Sequence, residues 1–198
     1  MQKQLLKHFR KADPVIAGLI RSLGPFEPKQ RRGRFQVLVG SIISQQISTS
    51  AARAIRGRLD ERLSPGTITA AKLASLSVDE LRAIGISRQK AEYLLDLATH
   101  VLSGKISLRR LGNMPDEAVI EELVQVRGIG VWTAQMFLMF SLNRLDVFPF
   151  DDLGIRNAIR NLYKLDEMPS KAEGRAISEP WKPYRSVASW YCWRSLDG

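Results

Sequence analysis

Apolar residues recur in steps of three and four along most of the chain, and no run alternates with period two. That pattern predicts helices joined by short connections. Asp13-Pro14 reads as an N-cap followed by proline at the first helical position, with Val15, Ile16, Leu19 and Ile20 on one face. Gly24-Pro25 and Pro28 break the chain. Phe35 to Ile47 predicts a mostly buried helix, Ser48-Thr49-Ser50 interrupts it, and an Ala- and Arg-rich helix follows to Leu63. Pro65-Gly66 reads as a turn and Thr69 to Leu76 as a short helix. Ser77, with Glu80 three residues on, predicts a capping box. From Gln89 to Leu102 the set Ala91, Leu94, Leu95, Ala98, Val101 and Leu102 forms one helical face. Pro115-Asp116 opens a helix to Val126. Val131 to Leu142 is apolar nearly all round, which predicts a central helix. Gly154–Tyr163 and Tyr184–Trp193 complete the set. The fold class is all-α.

The chain has 198 residues, 44% of them hydrophobic, enough for a real core and against a disordered chain. Its one cysteine, Cys192, excludes an internal disulfide framework and any four-cysteine zinc or iron–sulfur site. No apolar stretch is long enough to span a bilayer, and MQKQLLKHFRKADP has no secretory core. The expectation is a protein that is not secreted, in the cytoplasm or with the nucleoid, or in a nucleus. Thirty basic against 20 acidic residues leave a net charge of +10, which points to a polyanion, most simply nucleic acid. The basic run Lys29 to Arg34 suits either phosphates or bare solvation. His8 reads as exposed and His100 as a helix-surface residue; neither lies in a zinc motif.

Leu81–Ala91 is similar to Leu123–Ala134: each is a helix end, a Gly-Ile turn and a new helix. Few turn types join helices, so common usage explains the likeness more readily than repetition. Gly128-Ile129-Gly130 permits positive φ and close approach, and the helix it opens presents N–H groups and a positive dipole end suited to a phosphate. Taken alone, Gly-x-Gly is better read as a plain C-cap glycine and tight turn. Asp151 and Asp152 precede the Gly154 helix, where an aspartate serves as an N-cap whether or not it does chemistry.

The string VRGIGVWTAQMFLMFSLNRLDVFPFDDLGIRNAIRNLY resembles the helix-hairpin-helix, Gly/Pro-Asp superfamily of DNA glycosylases. SIISQQISTSAA (Ser41–Ala52) resembles the family's helix and DNA-entering loop, and WKPYRSVASWYCW (Trp181–Trp193) its 3-methyladenine DNA glycosylase II branch. The likeness runs from Phe35 to Trp193, as in a compact form without that branch's extra N-terminal domain. It implies a single catalytic unit of two helical lobes, 35–145 and 1–34 with 146–198, with the active-site cleft between them.

The resemblance also implies residue roles. Asp152 aligns with the catalytic aspartate, since Arg156 matches the family's basic residue, and Asp151 is the reserve. Trp132 and Trp193 match base-pocket aromatics, and Tyr184 and Trp190 lie near; core packing is the other use for all four. Gln46, flanked by Gln45, aligns with the side chain that fills the duplex after base flipping; simple helix-end glutamines are the alternative. Arg127, Gly128, Ile129, Gly130 and Thr133 form the phosphate-gripping hairpin, with a monovalent cation implied on the carbonyls of Val126 and Gly128. No other cofactor and no iron–sulfur cluster is implied. Trp132 stands where lyase members carry a nucleophilic lysine, so the expectation is a monofunctional hydrolase. The implied activity is removal of alkylated purines from damaged double-stranded DNA by a monomer. A non-catalytic DNA-binding module and a glycosylase for oxidised or deaminated bases are the competing readings.

Overall fold

The computed structural model describes residues 1–28 and 33–197. Lys29 to Arg32 of the basic run lie outside the described residues. Twelve α-helices and two short 3-10 turns, with no strand, account for the regular structure among the described residues. None of these helices is long and apolar enough to cross a membrane.

The chain divides into two compact units, Met1–Gln30 with Leu138–Gly198, and Arg31–Phe137. The second boundary falls inside a helix, Val131–Phe140, rather than after residue 145.

The unit spanning Arg31–Phe137 holds α3 (Arg34–Ser44), α4 (Thr49–Arg62), α5 (Ala70–Ala74), α6 (Val78–Ala83), α7 (Arg88–Leu102) and α8 (Asp116–Leu123). α9 (Val131–Phe140) begins in it. α7 is its hub, packing against α3, α5 and α6. Its buried face is Ala91, Leu94, Leu97 and Ala98. Leu97 takes the place expected for Leu95 and Val101, which are only half-buried, and Leu102 is exposed. At about 100° per residue the buried set spans about 120° of the helix, from Leu97 to Ala91, and Leu95 and Leu102 fall just beyond its edge. The Ser77–Glu80 capping box forms in full.

The other unit contains α1 (Gln2–Ala12), α2 (Pro14–Ser22), α10 (Leu153–Leu162), α11 (Lys171–Ser178) and α12 (Arg185–Arg194). Its core gathers Leu5, Phe9, Ile16, Ile159, Trp181 and Tyr191. Asp13 is only 6% exposed. Its Oδ1 accepts the N–H groups of Val15 and Ile16 at 2.9 and 3.1 Å, and Oδ2 accepts the Trp181 indole N–H at 2.6 Å and the Tyr163 hydroxyl. A buried carboxylate is tolerable only with such partners. The predicted N-cap of α2 is thus also the polar hinge-pin of this unit. Burial and the Asp13 charge push the Tyr163 phenol far above its ordinary range.

His8 is not exposed. It sits half-buried, its ring edge-on to Phe9 at 4.9 Å and to Tyr184 at 5.1 Å, because α1 turns this face toward the start of α12. His100 is also half-buried, its Nδ1 2.9 Å from the carbonyl of Asp96.

Candidate active site

Asp152 is the N-cap of α10, in extended backbone (φ −70°, ψ 124°). The turn that delivers it is closed by its own N–H donating to the Pro149 carbonyl at 3.0 Å. Oδ1 accepts the Ile155 N–H at 2.9 Å, the bond expected of a cap. The same oxygen accepts the Trp193 indole N–H at 2.9 Å, a contact across 41 residues of chain. Two donors on one oxygen fix the direction of the carboxylate. Asp152 is half-buried, whereas Asp151 is exposed, 4.0 Å from the Lys171 ammonium.

The Asp152–Trp193 pair is held from both sides. α10 packs along α12, which brings the end of α12 to the start of α10. Arg185, at the head of α12, grips Asp146 through Nε–Oδ1 at 2.8 Å and Nη2–Oδ2 at 3.0 Å, a bidentate fork. Ser186 adds N–H donation to the Leu145 carbonyl at 2.9 Å. The segment leading to Asp152 is therefore stitched to the helix that carries Trp193. Gly154 completes the arrangement. A Cβ there would lie 3.0 Å from Asp152 Oδ1 and 3.1 Å from Trp193 Cδ1.

Among the aromatics, Trp193 is bonded to the aspartate, and its ring also meets Phe140 at 6.0 Å. Trp190 lies edge-on to Phe26 at 5.3 Å under the Arg194 guanidinium, and lines an apolar cavity of about 40 Å³ with Phe26, Met139, Phe140 and Leu145. That space takes a small group and not a purine. Tyr184 turns to α1, its hydroxyl accepting from Gln4 Nε2 at 2.9 Å. Trp132, in the first turn of α9, is 45% exposed. Val131 is exposed too, so the predicted all-round burial of this helix fails in its first turn, where the hairpin brings it to the surface.

The hairpin has Gly128 at φ +82° and Ile129 buried, only 4% exposed. Gly130 and Arg127 face solvent, while Thr133, at 5% exposure, is turned inward and offers no surface hydroxyl. Asp96 holds the turn, accepting the Arg127 N–H at 2.9 Å. The sequence gives no hint of Tyr93, yet its ring lies where a Gly128 Cβ would stand, 2.1 Å from Cδ2.

Gln45 and Gln46 do different things. Gln46 is exposed and left-handed at φ +55°. Gln45 folds back, its Nε2 donating to the Gly128 carbonyl at 2.7 Å. That donor occupies the oxygen expected to face a cation, and the Val126 carbonyl accepts the Ile129 N–H at 3.0 Å. Each of these carbonyls accepts one hydrogen bond and keeps a second lone pair, so the pair does not exclude a cation. Among the described residues no cluster of three or more His, Cys, Asp and Glu is placed to hold a metal.

An all-helical chain with a Gly-x-Gly hairpin and an aspartate capping a later helix defines a helix-hairpin-helix protein with a carboxylate site. Residues 39–183 match the model of the HhH-GPD superfamily base excision DNA repair proteins, and this chain belongs to that family. The Schizosaccharomyces pombe DNA-3-methyladenine glycosylase 1 is 32% identical over 98% of this chain and 90% of its own length. The Bacillus subtilis protein YfjP is 42% identical over 125 residues; that match covers 63% of this chain and 44% of YfjP. Among solved structures, a Bacillus halodurans DNA-3-methyladenine glycosidase superposes with a TM-score of 0.90 at 34% identity, over 98% of this chain and 89% of that one. S. pombe Mag1 in complex with abasic DNA gives 0.86 at 32% identity, over 98% and 97%.

Proposed function

We propose that this protein is a monofunctional DNA glycosylase of base excision repair. It hydrolyses the N-glycosidic bond of alkylated purines, of the 3-methyladenine and 7-methylguanine type, in double-stranded DNA. The observation that carries the reading is the Asp152 carboxylate, aimed by α10 and the Trp193 indole. Similarity to DNA-3-methyladenine glycosylases across nearly the whole chain supports the substrate class.

In this reading the hairpin takes a phosphate and Gln46 enters the duplex where the damaged nucleotide leaves it. A methylated purine is cationic, so an aromatic face attracts it by stacking and cation–π interaction. Trp193 offers such a face beside Asp152, and Trp132 offers its exposed indole. As the C1′–N bond breaks, its electron pair leaves with the purine, which departs neutral. Positive charge develops on the deoxyribose, and the Asp152 carboxylate stabilises it. Water adds at C1′ and gives up a proton, leaving an abasic site and free base. Trp132 has no amine with which to form a Schiff base, so the backbone stays uncut. The enzyme acts as a monomer where chromosomal DNA is kept.

Asp152→Asn tests the proposal cleanly, because asparagine caps a helix as well as aspartate does. Methylated duplex incubated with the parent protein should release 3-methyladenine or 7-methylguanine, identified by chromatography. The variant should bind the same DNA, melt at the same temperature and lose release by at least a hundredfold. Full release by the variant refutes the role of Asp152. No release by the parent refutes the enzyme.

A further inference from the structure

We infer that Gln45 is a positioning residue that ties base ejection to phosphate capture, by bonding the Gln46 loop to the hairpin. The inference rests on the reading of Gln46 as the inserted side chain.

The loop is built for a fixed projection. α3 ends at Ser44, and Gln45 leaves the helix in extended backbone (ψ 129°). Gln46 then adopts φ +55°, a conformation that favours glycine. A side chain kept at such a tip is the kind of local strain that accompanies a functional constraint. The surrounding residues hold it there. Lys90, in the first turn of α7, donates from Nζ to the carbonyls of Ile43 at 2.8 Å and Gln45 at 2.6 Å. It closes the carbonyl end of α3 with a cation, as the helix dipole favours. Burial lowers the pKa of this ammonium.

The Gln45 side chain runs the other way, to the Gly128 carbonyl at 2.7 Å. That carbonyl belongs to a turn that cannot slide. Tyr93 stands against Gly128, Asp96 holds the N–H of Arg127, and Ile129 is buried. The hairpin that takes the phosphate therefore fixes the Gln46 backbone in place through one hydrogen bond. Glutamine is needed for its donor, since neither methionine nor glutamate of similar length can donate to a carbonyl.

The experiment compares one lesion in two settings: 7-methylguanine in a fully paired duplex and in a bulge, where it is already unpaired. Single-turnover release is measured for Gln45→Met, Gln45→Glu and Gln46→Ala, with a 2-aminopurine beside the lesion to report unstacking. Loss of one hydrogen bond predicts about a tenfold fall in paired-duplex release for both Gln45 variants. The unstacking signal falls with it, and release from the bulge stays within twofold. Equal losses on both substrates overturn the inference, because a structural or active-site defect does not distinguish them. No loss on either substrate overturns it as well, provided Gln46→Ala still slows paired-duplex release. If Gln46→Ala itself leaves that release unchanged, the wedge reading fails first, and the coupling falls with it. The melting temperature of each variant, measured alongside, keeps misfolding apart from either result.

Discussion

Gly154→Ala is the sharpest probe of the site, because it adds one methyl group and removes nothing. The new carbon would stand 3.0 Å from Asp152 Oδ1, 3.1 Å from Trp193 Cδ1 and 3.2 Å from Trp193 Nε1. Comfortable contact begins near 3.5 Å, so the carboxylate and the indole must give way by about half an ångström between them. Misplacement by 1 Å costs about a hundredfold in rate, so half of that predicts about tenfold. The stability change is set by two opposing terms. Alanine is favoured over glycine in a helix by up to about 1 kcal/mol, and crowding costs about 1–3 kcal/mol, for a net loss of about 3 kcal/mol at most. Trp193→Phe provides the partner experiment. It removes the donor to Asp152 and leaves an aromatic ring, and a hydrogen bond to a charged group is worth about 1.5–3 kcal/mol, so release should fall at least tenfold. Because both substitutions act on one contact, the double variant should be no slower than Trp193→Phe alone. The assay is single-turnover base release from 7-methylguanine duplex, with thermal melts in parallel. Release within twofold of the parent for Gly154→Ala, or losses that multiply in the double variant, would refute the argument that this pair sets the rate.

Three further expectations concern the scaffold. Asp13→Ala strands the Trp181 indole N–H and the Tyr163 hydroxyl and removes the α2 cap, which should cost about 3–5 kcal/mol by urea denaturation; Asp13→Asn should cost less because it keeps the cap. Gly128→Ala should cost about 2 kcal/mol or more, from positive φ and the Tyr93 ring together. Combining it with Tyr93→Ala should relieve the clash, so additive losses in that pair would contradict the geometry. Burial, and then the Asp13 charge, push the Cys192 thiol far up. Folding thus favours the protonated thiol, a stabilisation fully present below the unfolded thiol pKa of about 8.5 and not yet lost there, but eroding as pH climbs above it toward the raised folded value. Cys192 should resist iodoacetamide at pH 8 until the chain is denatured; rapid native-state alkylation would show the site is open.

Features set by neighbouring residues were legible in the sequence. The Asp13 cap and the Ser77–Glu80 box each need only three or four residues, and both formed. Asp152 was legible as a cap for the same reason. α11 carries the same signature in Ser170 and Glu173, which a search for capping pairs would have found. α1 was not anticipated, because Leu5 and Phe9 stand among lysines and acquire their meaning only from Trp181 and Tyr191 in the same core. The rest of the site depends on contacts across long stretches of chain. Nothing near Tyr93 marks it as the back wall of Gly128, and nothing near Tyr184 says that it will turn to α1. The division of labour between Gln45 and Gln46 was likewise invisible, since one peptide unit separates an anchor from a tip.

Asp13 sets the smallest piece of this protein that can work. The family-model match begins at residue 39, and a fragment trimmed there would retain Asp152, Trp193, both glutamines and the whole hairpin. It would also strip α1 and α2 from the core and leave an indole and a phenol without their shared acceptor. The first 28 residues contain none of the proposed chemistry. They are nonetheless the floor on which the aspartate stands, and such a trimmed chain should be insoluble or inert with every proposed catalytic atom still encoded.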